Sequence, residues 1–64
     1  MGFKERLIDE KIQLCERMNK LSIFMLNNEE FESLTIEQQE LLQLQYHAMS
    51  IYHMVLEKRL KLLV

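Results

Sequence analysis

The sequence predicts an all-α protein: an antiparallel two-helix hairpin that assembles into an oligomeric helical bundle. Three observations predict it. Two long stretches repeat apolar residues at helical spacing. A short polar connector joins them, which makes the helices antiparallel neighbours. Together they carry more apolar circumference than a single partner helix can cover.

The first helix is expected over residues 3–27. Phe3, Leu7, Leu14, Met18, Leu21 and Met25 fall on one face. Asn27-Asn28 follows, and asparagine tolerates the left-handed conformation that often ends helices. The connector, residues 28–35, holds about one further turn, NEEFESL, in which Phe31 and Leu34 can cover the bundle end. Thr35-Ile36-Glu37-Gln38 reads as a T-x-x-Q capping box and starts the second helix at Ile36. That helix is expected over residues 36–62, within a single domain spanning 1–64.

On the second helix Leu42, Met49, Leu56, Leu60 and Leu63 point within about 40° of one direction at 3.6 residues per turn. A further row, Leu41, Leu44, Ala48, Ile51, Val55 and Leu62, widens the apolar arc to roughly half the circumference. The first helix has a second row too: Ile8, Ile12, Cys15 and Leu26. A monomeric hairpin would leave these rows wet, as a patch of the kind that marks an interface. A chain of 64 residues also has too small a core to be comfortable alone. Oligomerisation, from a dimer up to a larger closed ring, is therefore expected.

Bulk composition narrows the function classes. The formal net charge is −2, from 8 basic and 10 acidic residues, which does not fit a binder of duplex nucleic acid. No 18-residue apolar run exists to cross a membrane. The beginning, MGFKERLIDEK, has charges where a signal peptide needs apolar residues, and Arg6 stands where a myristoylation motif needs Ser or Thr. The single cysteine, Cys15, has no partner for an internal disulfide. A cytoplasmic protein with a reduced thiol is expected. His47 and His53 are six apart, about 120° around a helix, so they form no metal-ligand pair. No cofactor and no metal are expected. No nucleophile–base pair occurs at helical spacing and no glycine-rich loop is present, so the chain is not expected to be an enzyme.

Polar residues recur beside the stripe of the second helix at Gln45, Tyr52 and Arg59. In a hairpin turning near Phe31, Tyr52 should face the level of Glu10 and Lys11, and Gln45 that of Met18. One reading is a structural polar layer of Glu10, Gln45, Tyr52 and Arg59, with Glu10 accepting from the phenol. Such a layer sets register more than stability, because burying charge costs desolvation. The other reading is a ligand pocket between subunits.

The residues that carry a family resemblance are these. The first helix reads Phe3-Lys4-x-Arg6-Leu7-Ile8-Asp9-Glu10-Lys11-x-x-Leu14, then Lys20-Leu21-x-x-Phe24. The linker reads Phe31-Glu32-Ser33-Leu34. The second helix reads Gln39-x-Leu41-Leu42-x-x-Gln45-x-x-Ala48-Met49-x-x-Tyr52-x-x-Val55-Leu56-x-x-Arg59-Leu60. Over nearly the whole chain this resembles a family of small helical-hairpin proteins from crAss-like and other tailed phages. Their hairpin is similar to that of phage sponges that counter the CBASS and Thoeris defences. The resemblance implies an oligomeric anti-defence protein, from a dimer up to a hexamer, in the host cytoplasm, which binds a cyclic oligonucleotide signal, such as a cyclic di- or trinucleotide, without cleaving it. The competing expectation is a protein–protein interaction or structural module with no small-molecule ligand.

A cyclic-nucleotide pocket needs cations for phosphates and flat groups for bases. Arg6, Lys11, Tyr52 and Arg59 are the candidate ligand-binding residues. Arg17, Lys20 and Tyr46 are further possibilities. For Arg6 and Arg59 the bland alternative is pairing with Glu5, Asp9 and Glu57. His53–Glu57 is expected as an ordinary i,i+4 surface pair, and Cys15 as a small interface residue.

Overall fold

A computed structural model describes residues 2–63. Its elements are α1 (Phe3–Leu26), α2 (Asn28–Glu32) and α3 (Ile36–Lys61), with no strand among the described residues. The two long helices pack side by side, antiparallel, in a rod about 45 Å long and 16 by 14 Å across. The 26 residues of α3 account for most of that length at 1.5 Å per residue. α1 ends at Leu26 and α3 at Lys61, each one residue before the end expected from the sequence.

The connector follows its own chemistry. Asn27 does not adopt the left-handed conformation expected of it. Its backbone is extended (φ −81°, ψ 94°), and no described residue has a positive φ. Instead it serves both neighbours. Its N–H donates to the Phe24 carbonyl at 3.1 Å, closing α1, and its side-chain oxygen accepts from the Glu30 N–H at 3.3 Å, capping α2. Asparagine suits this second role as well as the first. The single turn of α2 then brings the Phe31 ring edge-on to Phe24, with centroids 6.5 Å apart at 82°. Phe31 and Leu34 are half-buried and close the turn end of the hairpin.

Thr35 caps α3 as the sequence proposes, its hydroxyl accepting from the Gln38 N–H at 3.2 Å. The reciprocal bond of a capping box, from the Gln38 side chain, is not made. The Gln39 amide takes a different acceptor, the Leu34 carbonyl, at 3.0 Å. At the other end Lys58, Arg59 and Lys61 occupy the last turn, where positive charge complements the helix dipole.

The core is small. Leu7, Leu14 and Leu56 are buried, with Met18, Met49 and Leu60 packed against them. Along the seam α1 places Leu7, Lys11, Leu14, Met18, Leu21 and Met25, all buried or half-buried, with Cys15, Ser22 and Phe24 half-buried beside them. α3 places Leu42, Tyr46, Met49, His53, Leu56 and Leu60 there, with Gln39, Ser50 and Glu57 half-buried beside them. Steps alternate between three and four, as in a coiled-coil seam. The seam of α3 therefore takes Tyr46 and His53 between its apolar residues, and leaves Gln45, Tyr52, Arg59 and Leu63 on an exposed flank. The second apolar row stays in solvent: Leu41, Leu44, Ile51, Val55 and Leu62 are all exposed, with Leu44 at 63% and Ile51 at 60%.

Candidate functional site

The seam divides the hairpin into two flanks, and the candidate residues separate onto them. One flank carries Arg59, whose guanidinium lies over the Phe3 ring, 5.8 Å from its centroid. This is a cation–π contact in place of the carboxylate pairing considered for Arg59. Tyr52, Gln45, Glu10 and Arg6 are exposed, and Tyr52 keeps 43% of its surface. No hydrogen bond joins Glu10, Gln45, Tyr52 or Arg59 to one another, and no buried polar residue occurs among the described residues. A single hairpin therefore does not assemble the polar layer. Nor does it gather Arg6, Lys11, Tyr52 and Arg59 into one pocket.

The opposite flank holds an open groove of about 290 Å³, lined by Lys4, Ile8 and Lys11 from α1 and by Glu57, Leu60 and Lys61 from α3. The helix geometry explains the lining. Lys4, Ile8 and Lys11 stand at i, i+4 and i+7, one row of α1, and Glu57, Leu60 and Lys61 at i, i+3 and i+4, one row of α3. Ile8 and Leu60 supply apolar floor, and three lysines stand at its edge with one carboxylate. Among the described residues no lysine or arginine is in salt-bridge contact with a carboxylate. Among the described residues the groove lysines are thus not held by a carboxylate. Of the four candidate ligand-binding residues, only Lys11 lies here. Lys4 and Lys61 were not singled out in the sequence. Their signal was available in the matched rows on two helix ends that the hairpin must bring together.

Beside the groove lies a contact that no local spacing reveals. The Cys15 sulfur is 3.1 Å from His53 Nε2, and His53 Nδ1 is 2.9 Å from Glu57 Oε1. The His53–Glu57 pair is the expected i,i+4 pair. Its link to Cys15 is a thiol–imidazole pair 38 residues apart, outside the helical spacings over which no such pair occurs. It also gives Cys15 a partner inside its own hairpin. A hairpin turning symmetrically at Phe31 would put Cys15 level with about residue 47, and the contact with His53 lies further along α3. Cys15 and His53 are both half-buried, at the rim of the seam.

No curated protein and no solved structure matches the chain. A family model described as Sequestin matches residues 1–62. The hairpin with its lysine-edged groove thus belongs to the Sequestin family, a name that suggests sequestering of a ligand.

Proposed function

We propose that this protein is a phage anti-defence sponge that binds a cyclic oligonucleotide immune signal in the host cytoplasm and withholds it without cleaving it. The observation that carries the reading is the groove: three lysines, none in contact with a carboxylate among the described residues, stand around an apolar floor. Ammonium groups suit phosphate oxygens, and an apolar floor suits the faces of bases. Ile12, a turn beyond Ile8 and exposed, continues that floor along α1. The family name supports the same class of activity. Binding rather than turnover fits the available nucleophile, since a thiol is a soft nucleophile that reacts poorly at phosphodiester phosphorus.

The reading includes self-association. Leu41, Leu44, Ala48, Ile51 and Val55 step by three and four, and Leu62 follows one heptad on, a seam pattern that has no partner in the hairpin. A second copy offers the same row and can meet it about a two-fold axis. The row lies roughly 140° around α3 from the seam at 3.6 residues per turn, so this association leaves the groove open.

Thermal unfolding in a panel of cyclic di- and trinucleotides tests the proposal. A ligand at a hundred times its Kd stabilises by about 2.7 kcal/mol, which for a domain this small raises Tm by on the order of 10 °C. Lys11→Ala and Lys61→Ala should abolish the shift while leaving the assembled mass unchanged. A panel that leaves Tm unmoved at millimolar ligand overturns the sponge reading and favours an interaction module built on the α3 row.

A further inference from the structure

The contact between Cys15, His53 and Glu57 has the order of an activated nucleophile: thiol, base, and a carboxylate that orients the base. Glu57 Oε1 accepts from His53 Nδ1–H at 2.9 Å. That bond favours the tautomer whose Nε2 lone pair faces the Cys15 sulfur, 3.1 Å away. Nε2 is thus placed to take the thiol proton as the sulfur reacts, with the Glu57 carboxylate beside the ring. Glu57 also lines the lysine-edged groove, and Lys11 precedes Cys15 by one turn on α1. The half-buried Cys15 thus stands within a turn of two residues that line the lysine-edged groove, Lys11 directly and Glu57 through His53. Its three elements differ from a metal site in layout, since they run in line instead of converging, and no three-residue ligand cluster occurs among the described residues.

The geometry points to a thiol-modification site: Cys15 exchanges with small anionic disulfides, a class that includes dicarboxylate disulfides. The Cys15 thiolate attacks one sulfur of the reagent, whose S–S bond breaks as the Cys15 mixed disulfide forms. The second reagent thiolate leaves, and the proton held on Nε2 passes to solvent. The small disulfide is itself the oxidant, so the step balances without a further reactant. His53 is the base and Glu57 a positioning residue.

The test measures second-order rates of the intact chain with an anionic aromatic disulfide, dithiobis(nitrobenzoate), and a cationic one, cystamine. Each rate is divided by that of the same chain unfolded in urea. For the anionic probe the folded chain should react roughly 3- to 10-fold faster than the unfolded one, a modest gain because nucleophilicity falls as thiolate character rises. The cationic probe should gain less, and the preference should shrink at 1 M salt, where the Debye length is about 3 Å. His53→Gln should remove the gain for both probes. Glu57→Gln, on a half-exposed side chain, should reduce it with the helical circular dichroism intact, which keeps the test decisive if the histidine variant unfolds. A folded chain that reacts no faster than the unfolded one overturns the proposal. So does a gain that His53→Gln leaves in place or that Glu57→Gln leaves undiminished, or one equal for both probe charges at low salt.

Discussion

Ile51→Ala separates a lone hairpin from an assembled one by the sign of its effect. Ile51 is 60% exposed and sits in the middle of the uncovered α3 row. In a monomer the substitution removes almost no packing, and alanine is the better helix former, so stability should hold or rise by a few tenths of a kcal/mol. In a two-fold dimer the same side chain is buried. Full burial of an isoleucine contributes about 1.5–3 kcal/mol, so covering the exposed three-fifths contributes roughly 1–2 kcal/mol in each copy. Alanine forfeits most of this twice, roughly 2–4 kcal/mol per dimer. That weakens association about 30- to 700-fold. Sedimentation equilibrium over a hundredfold range of concentration reads the change directly. The native chain should exceed its 7.8 kDa monomer mass at low micromolar concentration, and the variant should approach it. A native particle of 7.8 kDa, with a melting temperature unchanged or raised by Ile51→Ala, would refute the assembly argument.

Other perturbations read separate parts of the structure. Leu56 is 0% exposed and sits among Leu7, Leu14, Met49 and Leu60, so Leu56→Ala should cost about 2–5 kcal/mol in urea unfolding; a loss below about 1 kcal/mol would mean the seam is misplaced. Thr35→Ala should cost about 1 kcal/mol through the lost cap, whereas Gln38→Ala should cost a few tenths, because the Gln38 side chain caps nothing; equal costs would show a complete capping box in solution. Titration calorimetry with any cyclic nucleotide that binds should lose affinity in Lys4→Ala and keep it in Lys20→Ala, which stands outside the groove; the reverse order would move the site to the other flank. That affinity should also fall with added salt, since the groove lysines act through partly exposed charge.

Helix existence, helix ends and the antiparallel pairing were legible because each rests on local chemistry repeated many times. The threonine cap marks one helix start, and twenty-odd residues of apolar spacing outvote any single polar one. The seam register was harder. From Leu42 the next inward position is either Gln45 or Tyr46, and from Met49 either Tyr52 or His53. Both choices satisfy helical spacing, and both offer a polar-capable residue. The discriminating pair comes one step later, where Leu56 leads to Arg59 or Leu60. Only Leu60 is apolar, and reading backwards from it places Tyr46 and His53 inward, which is what the structure shows. The site was less legible than the fold for a related reason. Lys4 with Lys61, and Cys15 with His53, are neighbours only after the register is known, and a shift of half a turn decides which side chains meet.

That register also determines how α3 divides its circumference. Its inner face holds Leu56 and the seam. The flank toward the α1 lysines carries His53, Glu57 and Lys61. The far side carries Leu41, Leu44, Ile51, Val55 and Leu62, apolar and exposed. A helix of a self-sufficient hairpin needs one apolar face, with charge elsewhere. This one has two, separated by polar positions, each stepping by three and four. Random greasy decoration does not hold such a period over 22 residues from Leu41 to Leu62, broken only by Lys58. Lysine is the substitution a seam tolerates near its end, where a long side chain can carry its charge back to water. The second period is the surface on which the proposed self-association rests. Because it lies away from the groove, a second copy seated on it would leave open the surface on which a ligand or a disulfide would land.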